Sequence, residues 1–271
     1  MKRIYILILA LCTSTITAFA WSNHAAATIA EIASRHLTKE AANNIKLILS
    51  STPLASNANY IFKERKEGNM LDSKGWHYVE VDNNLNPKLN NDNNALTQIY
   101  KAVGVLQNAQ SLPIEDVRHN LLVLTHLVSD IHCLANIRIE NIEHSYRNFK
   151  VVIWNNRSGK RARYSNRNWR NFWGSFYSSR RGLFSTAGYA DEVMLYFRDD
   201  LKGFATGSPE DWVKETAQDA QKQLQELFLP EVTLRAEDVN RLEALHEKCL
   251  ARAGVHLATI LNNIFTQKEI N

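Results

Sequence analysis

Cysteine is scarce in this chain, with 3 in 271 residues. Cys12 sits in the N-terminal apolar stretch, so a processed chain keeps only Cys133 and Cys249. That excludes a scaffold built on disulfides; one bridge and two buried thiols both remain open. Long apolar runs are also scarce. Ile4 to Ile16 is the longest, and it falls short of the roughly 20 residues a membrane span needs. No later run reaches that length, so no membrane span is expected. A strong charge of one sign is missing as well: the formal net charge is +4, two units of which belong to Lys2 and Arg3. Bulk charge therefore selects no partner class. Internal repeats and a composition break between domains are absent too, so the region after residue 20 reads as one domain.

What the N-terminus does have is order. Lys2 and Arg3 precede the apolar stretch, and Ala18-Phe19-Ala20 is an A-x-A cleavage pattern. Residues 1–20 read as a secretory signal, which places the mature chain, 21–271, in a periplasm or outside the cell. Cutting after Ala20 would leave Trp21 with a free α-amine, and His24 lies three positions on.

Helical periodicity dominates the remainder. Ala25 to Ser50 places Ile29, Ile32, Ala33, Leu37, Ala41, Ile45 and Leu49 at spacings of three and four. Ala95 to Gln107, Glu115 to Leu134, Ala190 to Leu201, Pro209 to Leu227 and Ala236 to Phe265 follow the same pattern. Ser208-Pro209-Glu210-Asp211 is a helix start: a capping hydroxyl, a first-position proline, then acids at the positive end. Gly68 to Asp82 and Asn148 to Trp154 read as extended, and Asp82 to Asn94 as a polar loop. The fold class is mainly α, a single helical domain with long loops.

The stretch RHNLLVLTHLVSDIHCLAN, Arg118 to Asn136, concentrates the chemistry. Leu121, Leu124, Leu127 and Val128 make an apolar face, while His126 and Asp130, four apart, project side by side. Such a pair is either a surface ion pair or part of a divalent metal site. In GWHYVEV, His77 stands between aromatics and is either core or ligand. Trp21 and His24 offer an amine, a carbonyl oxygen and an imidazole.

These stretches together resemble the S1/P1 nuclease family, related to the zinc-dependent phospholipases C. The resemblance rests on Trp21 to His24, WHYVEV at Trp76, HLVSDIH at His126, SPEDWVKET at Ser208 and ARAGVHLATILNNIF at Ala251. It runs over nearly the whole chain after residue 20. It implies a helical phospholipase C/P1 nuclease-like fold and a cluster of three zinc ions that hydrolyses phosphodiesters of single-stranded DNA or RNA. His77, His126 and Asp130 stand where the family binds its first zinc. Trp21, through its amine and carbonyl, and His24 stand where it binds a third, bridged by Asp130.

The departures have a physical cost. The family's W-A-D is Asn57-Ala58-Asn59 here, so its catalytic and ligating aspartate is the uncharged Asn59. Asn136 replaces a histidine ligand of the second zinc, and Arg170 and Gly174 stand where two more belong. Arginine keeps its proton and cannot ligate, and glycine has no side chain. The second site is expected empty, leaving one or two zinc ions rather than three; His132 or His144 could supply at most one imidazole. Losing one such electrostatic partner typically lowers a rate about 10²- to 10³-fold. Asn148 to Ala190, meanwhile, contains no Asp or Glu and interleaves arginines with aromatics. Arg167, Arg170 and Trp173 are its candidate phosphate and base contacts; the bland reading is a solvated loop with tryptophans packed inward. The functional expectation is an exported nuclease of reduced activity acting on single-stranded nucleic acid. Its alternative is an inactive relative that binds nucleic acid or nucleotides.

Overall fold

The computed structural model describes residues 21–89, 92–142, 150–155, 163–168, 173–174, 185–226 and 231–266, with backbone alone for 150–155, 163–168, 226 and 231. Several of its helices begin where a side chain takes over backbone N–H groups that have no partner inside the helix. Ser22 caps α1 (Asn23–Arg35) by accepting from the Ala25 N–H at 3.1 Å. Thr38 does the same for α2 (Lys39–Ile48). The single periodic stretch expected from Ala25 to Ser50 is therefore two helices, because Thr38 in extended conformation starts a new one. Asn94 caps α4 (Ala95–Leu106) through the Leu96 and Thr97 N–H groups. The short α3 (Tyr60–Lys66) precedes it.

The central helix α5 (Ile114–Ile131) is buried without a break from Leu121 to Ile131. Helices surround that stretch, whose only polar side chains are Thr125, His126, Ser129 and Asp130, and it packs on α4, α3 and α9. Beyond it lie α6 (Thr186–Tyr196), the single turn α7 (Leu201–Phe204), α8 (Pro209–Glu226) and the 30-residue α9 (Ala236–Phe265). The Ser208 to Asp211 start of α8 is a reciprocal cap: Asp211 accepts from the Ser208 N–H at 2.9 Å, and its own N–H donates to Ser208 Oγ at 3.3 Å. Helix α9 runs along α1 at close range. At Gly254 an added Cβ would sit 2.4 Å from Ile32 Cγ2, so only glycine permits this approach.

Strand is sparse, as expected. Parallel β1 (Val79–Val81) and β2 (Ile137–Ile139) pair Val79 with Ile137. In a second sheet β3 (Lys150–Asn155) lies between antiparallel β4 (Arg163–Asn168) and parallel β5 (Glu231–Leu234). The expected extended stretch from Gly68 is mostly not strand: Leu71–Gly75 is a 3₁₀ turn, and only Val79–Val81 is extended. Cys133 and Cys249 are both buried and are not bridged to each other, and burial pushes the Cys249 thiol pKa up. No helix among the described residues is long and apolar enough to cross a membrane.

Candidate metal centre

Two elements meet at the C-terminal half of α5. The helix itself supplies His126 and Asp130, four residues apart and each buried. The turn between the Leu71–Gly75 segment and β1 supplies His77, also buried. One ligating atom from each, among His77, His126 and Asp130, lies within 4.8 Å of the others. His77 Nδ1–H donates to Asp130 Oδ2 at 2.7 Å, and His126 Nε2 stands 3.4 Å from the same oxygen. Ligands of a tetrahedral zinc are about 3.3 Å apart, given bond lengths of about 2.0–2.1 Å. The His126–Asp130 spacing already has that value, and the His77 contact is a hydrogen bond that an ion would replace.

The protonation of His126 also suits a metal. Its Nδ1–H donates to the Ala58 carbonyl at 2.9 Å, which leaves the lone pair on Nε2. That buried Nε2 has no hydrogen-bond partner, and neither does His77 Nε2. Burial pushes the His126 pKa down to about 4, against the opposing pull of the Asp130 charge, so the ring is neutral near pH 7. Two buried imidazoles and a buried carboxylate oxygen are a donor set that zinc takes. Phe62 lies over the centre, stacked on His77 with ring centroids 4.5 Å apart and edge-on to His126 at 4.8 Å. Sequence reasoning passed over Phe62, although it stands three residues after Asn59 at helical spacing.

Trp21 is brought close to this centre. Its indole N–H donates to the Ser129 carbonyl at 2.6 Å, one residue from Asp130, and the ring is 2 % exposed. The next residue is fixed as well, since the Ser22 N–H donates to the Gly174 carbonyl at 2.6 Å. Gly174, which offers no side chain, thus binds Ser22 through its backbone. His24 is not among the side chains that share the 4.8 Å group. Its ring stacks on Tyr189 at 5.6 Å, and both of its nitrogens are shielded without a hydrogen-bond partner. Asn59 turns its amide to the Asn23 carbonyl at 3.5 Å.

Other expected residues are placed elsewhere. His132 is no spare ligand: its Nδ1–H donates to the Val128 carbonyl at 2.8 Å and its Nε2 meets His256 Nδ1 at 2.7 Å. His144 and Arg170 lie outside the described residues. Arg167 is described only as β4 backbone, paired with Val151. Trp173 is fully buried, edge-on to His246 at 5.5 Å. A base cannot stack on a ring with no exposed face, so Trp173 is a core residue here and not a substrate contact. Asn136 does something the sequence did not disclose: its amide Nδ2 donates to Asp130 Oδ1 at 3.1 Å and to the Asp130 carbonyl at 3.2 Å.

Comparison with known families finds a match over part of the chain. The model of the S1/P1 Nuclease family matches residues 21–133. That segment contains Trp21, His24, Asn59, His77, His126 and Asp130, and it ends before Asn136, Arg170 and Gly174. The match is narrower than the resemblance drawn from the motifs, which extended into α8 and α9. No curated protein matches the chain.

Proposed function

We propose that this chain is an exported zinc-dependent phosphodiesterase of the S1/P1 nuclease kind. It would act on single-stranded DNA or RNA with one or two ions in place of three. The observation that carries this reading is the buried convergence of His77, His126 and Asp130 inside the segment that matches the family model. Zinc bound there would polarise a phosphate oxygen and lower the pKa of water. The chain's own residues determine how well that chemistry runs. Asp130 Oδ2 and the two imidazoles hold the centre, and Phe62 excludes solvent from one side of both rings. Trp21 docks the cut end of the chain beside Asp130, where its amine and carbonyl, with His24, would serve a second ion. Asn59 offers an amide in place of a carboxylate, so it can orient a water but cannot take its proton. Turnover is therefore slow. Arg170 and Arg167 are proposed to hold the phosphate by charge where a third ion is missing.

A second reading is favoured by Asn59 together with the hydrogen bond from Asn136 to Asp130: a nucleic-acid binder that keeps the centre and does not cleave. The test uses mature protein beginning at Trp21. Zinc content is measured, and single-stranded DNA and RNA are offered with and without a chelator. Bound zinc with slow, chelator-sensitive cleavage is the expected result. Salt-sensitive binding without cleavage would establish the binder, and protein that takes up no zinc would overturn both readings.

A further inference from the structure

Asn136 stands one turn beyond the end of α5, in the 3₁₀ segment Leu134–Asn136 that leads into β2. It is 1 % exposed, so its amide nitrogen must find acceptors within the protein, while its Oδ1 has no hydrogen-bond partner among the described residues. Both hydrogens of Nδ2 are used on one residue, the Asp130 carbonyl at 3.2 Å and Asp130 Oδ1 at 3.1 Å. The orientation of the amide follows, because the reverse would set its oxygen against two acceptors. A two-point grip of this kind fixes the rotation of the carboxylate. With Oδ1 held by the amide, Oδ2 is the oxygen that faces His77 Nδ1 and His126 Nε2.

We propose that Asn136 is a positioning residue of the metal centre, holding the Asp130 carboxylate so that it binds an ion through Oδ2 alone. The inference rests on the zinc reading above and goes past it: a position where the resemblance expects a ligand instead orients one. Outer partners of this kind typically contribute 10- to 100-fold in metal affinity. The position also couples the centre to β1 and β2, since Ile137, the next residue, pairs with Val79 two residues after His77.

Cobalt(II) separates this role from simple packing, because its visible absorption reports the number and arrangement of its ligands. Mature wild-type protein, Asn136→Leu and Asn136→Asp are titrated with cobalt chloride, and absorption, affinity and metal-free melting temperature are recorded. Leucine keeps the volume and removes both donors; aspartate keeps the shape and cannot donate when ionised. The expected result is binding 10- to 100-fold weaker in Asn136→Leu, with an altered cobalt spectrum in both variants. Should the leucine variant not fold, the spectrum of Asn136→Asp decides. A wild-type spectrum and affinity in the folded variants would overturn the positioning role while leaving the metal centre standing. Failure of the wild type to take up cobalt would overturn the metal centre and the inference with it.

Discussion

Asp130 Oδ2 is the atom on which the chemistry converges, with an imidazole nitrogen 2.7 Å away on one side and another 3.4 Å away on the other. Asp130→Ala should remove that anchor. Saturating zinc should raise the melting temperature of the wild type, since a ligand at 100 times its dissociation constant adds about 2.7 kcal/mol of stability. It should leave the Asp130→Ala protein unchanged, and differential scanning calorimetry with and without zinc checks this. An equal zinc response in both proteins would refute the ligand role. Trp21 tests a different bond. Trp21→Phe retains a buried ring but loses the N–H that reaches the Ser129 carbonyl. Ser129 keeps a second donor in the His132 N–H at 3.2 Å, so the carbonyl is not orphaned. The expected cost in urea unfolding is about 1 kcal/mol for the bond, to which the space left by the smaller ring adds. A loss several times larger would mean that the indole does more than pack and donate.

Packing at the level of helices turns on small residues where two axes come close. Gly254 faces α1 with Ile32 Cγ2 only 2.4 Å, and the Ile29 carbonyl 3.1 Å, from where a β-carbon would stand. Gly254→Ala gains in helix propensity on an exposed helix, but here the methyl must displace a buried, β-branched side chain. Overpacking of this kind costs about 1–3 kcal/mol, so the sign should be destabilising, read from the shift in denaturation midpoint. Elements were the most legible part of the sequence. Ala236–Phe265 has the bounds its periodicity implies, and α5 begins one residue before its expected start and ends three residues before its expected end. What periodicity could not show was the stop between α1 and α2, where a threonine cap and no Gly or Pro marks the boundary. The site divides in the same way. His126 and Asp130 were readable because helical spacing alone sets them side by side. His77 needed a tertiary turn, and the Asn136 grip on Asp130 needed a chain reversal, neither of which is written in local spacing. Trp173 was misjudged because composition cannot say which aromatics of a basic segment turn inward.

At the scale of the whole molecule, the buried histidines set a pH limit on stability. Burial is the largest influence on each of four. It pushes His126 and His132 down to about 4, His246 to about 3 and His256 to about 2. His256 is further held neutral by the facing His132 imidazole and by Arg252, and Trp212 stacks on it at 4.0 Å. His246 is enclosed by the rings of Trp21 and Trp173. Because these folded-state values lie below the unfolded value of about 6.5, the unfolded chain binds protons that the native chain refuses. Their contribution is therefore complete above pH 6.5 and is lost as pH falls from there toward the folded-state values. Each excluded imidazole adds up to about 1.4 kcal/mol per pH unit to that slope. Metal-free protein should thus show a urea midpoint that is flat above pH 7 and declines steeply between pH 6.5 and 4. His246→Leu removes one titrating group without touching His77, His126 or Asp130, so its slope in that window should be shallower even if its stability at pH 7 is lower. A wild-type midpoint that stays level down to pH 4.5 would show that the native interior accepts those protons. The enclosure of His246 and His256 would then have to open without unfolding. Zinc should steepen the acid limb further, since His77 and His126 must be unprotonated to bind it, and the difference between zinc-loaded and metal-free curves isolates that share.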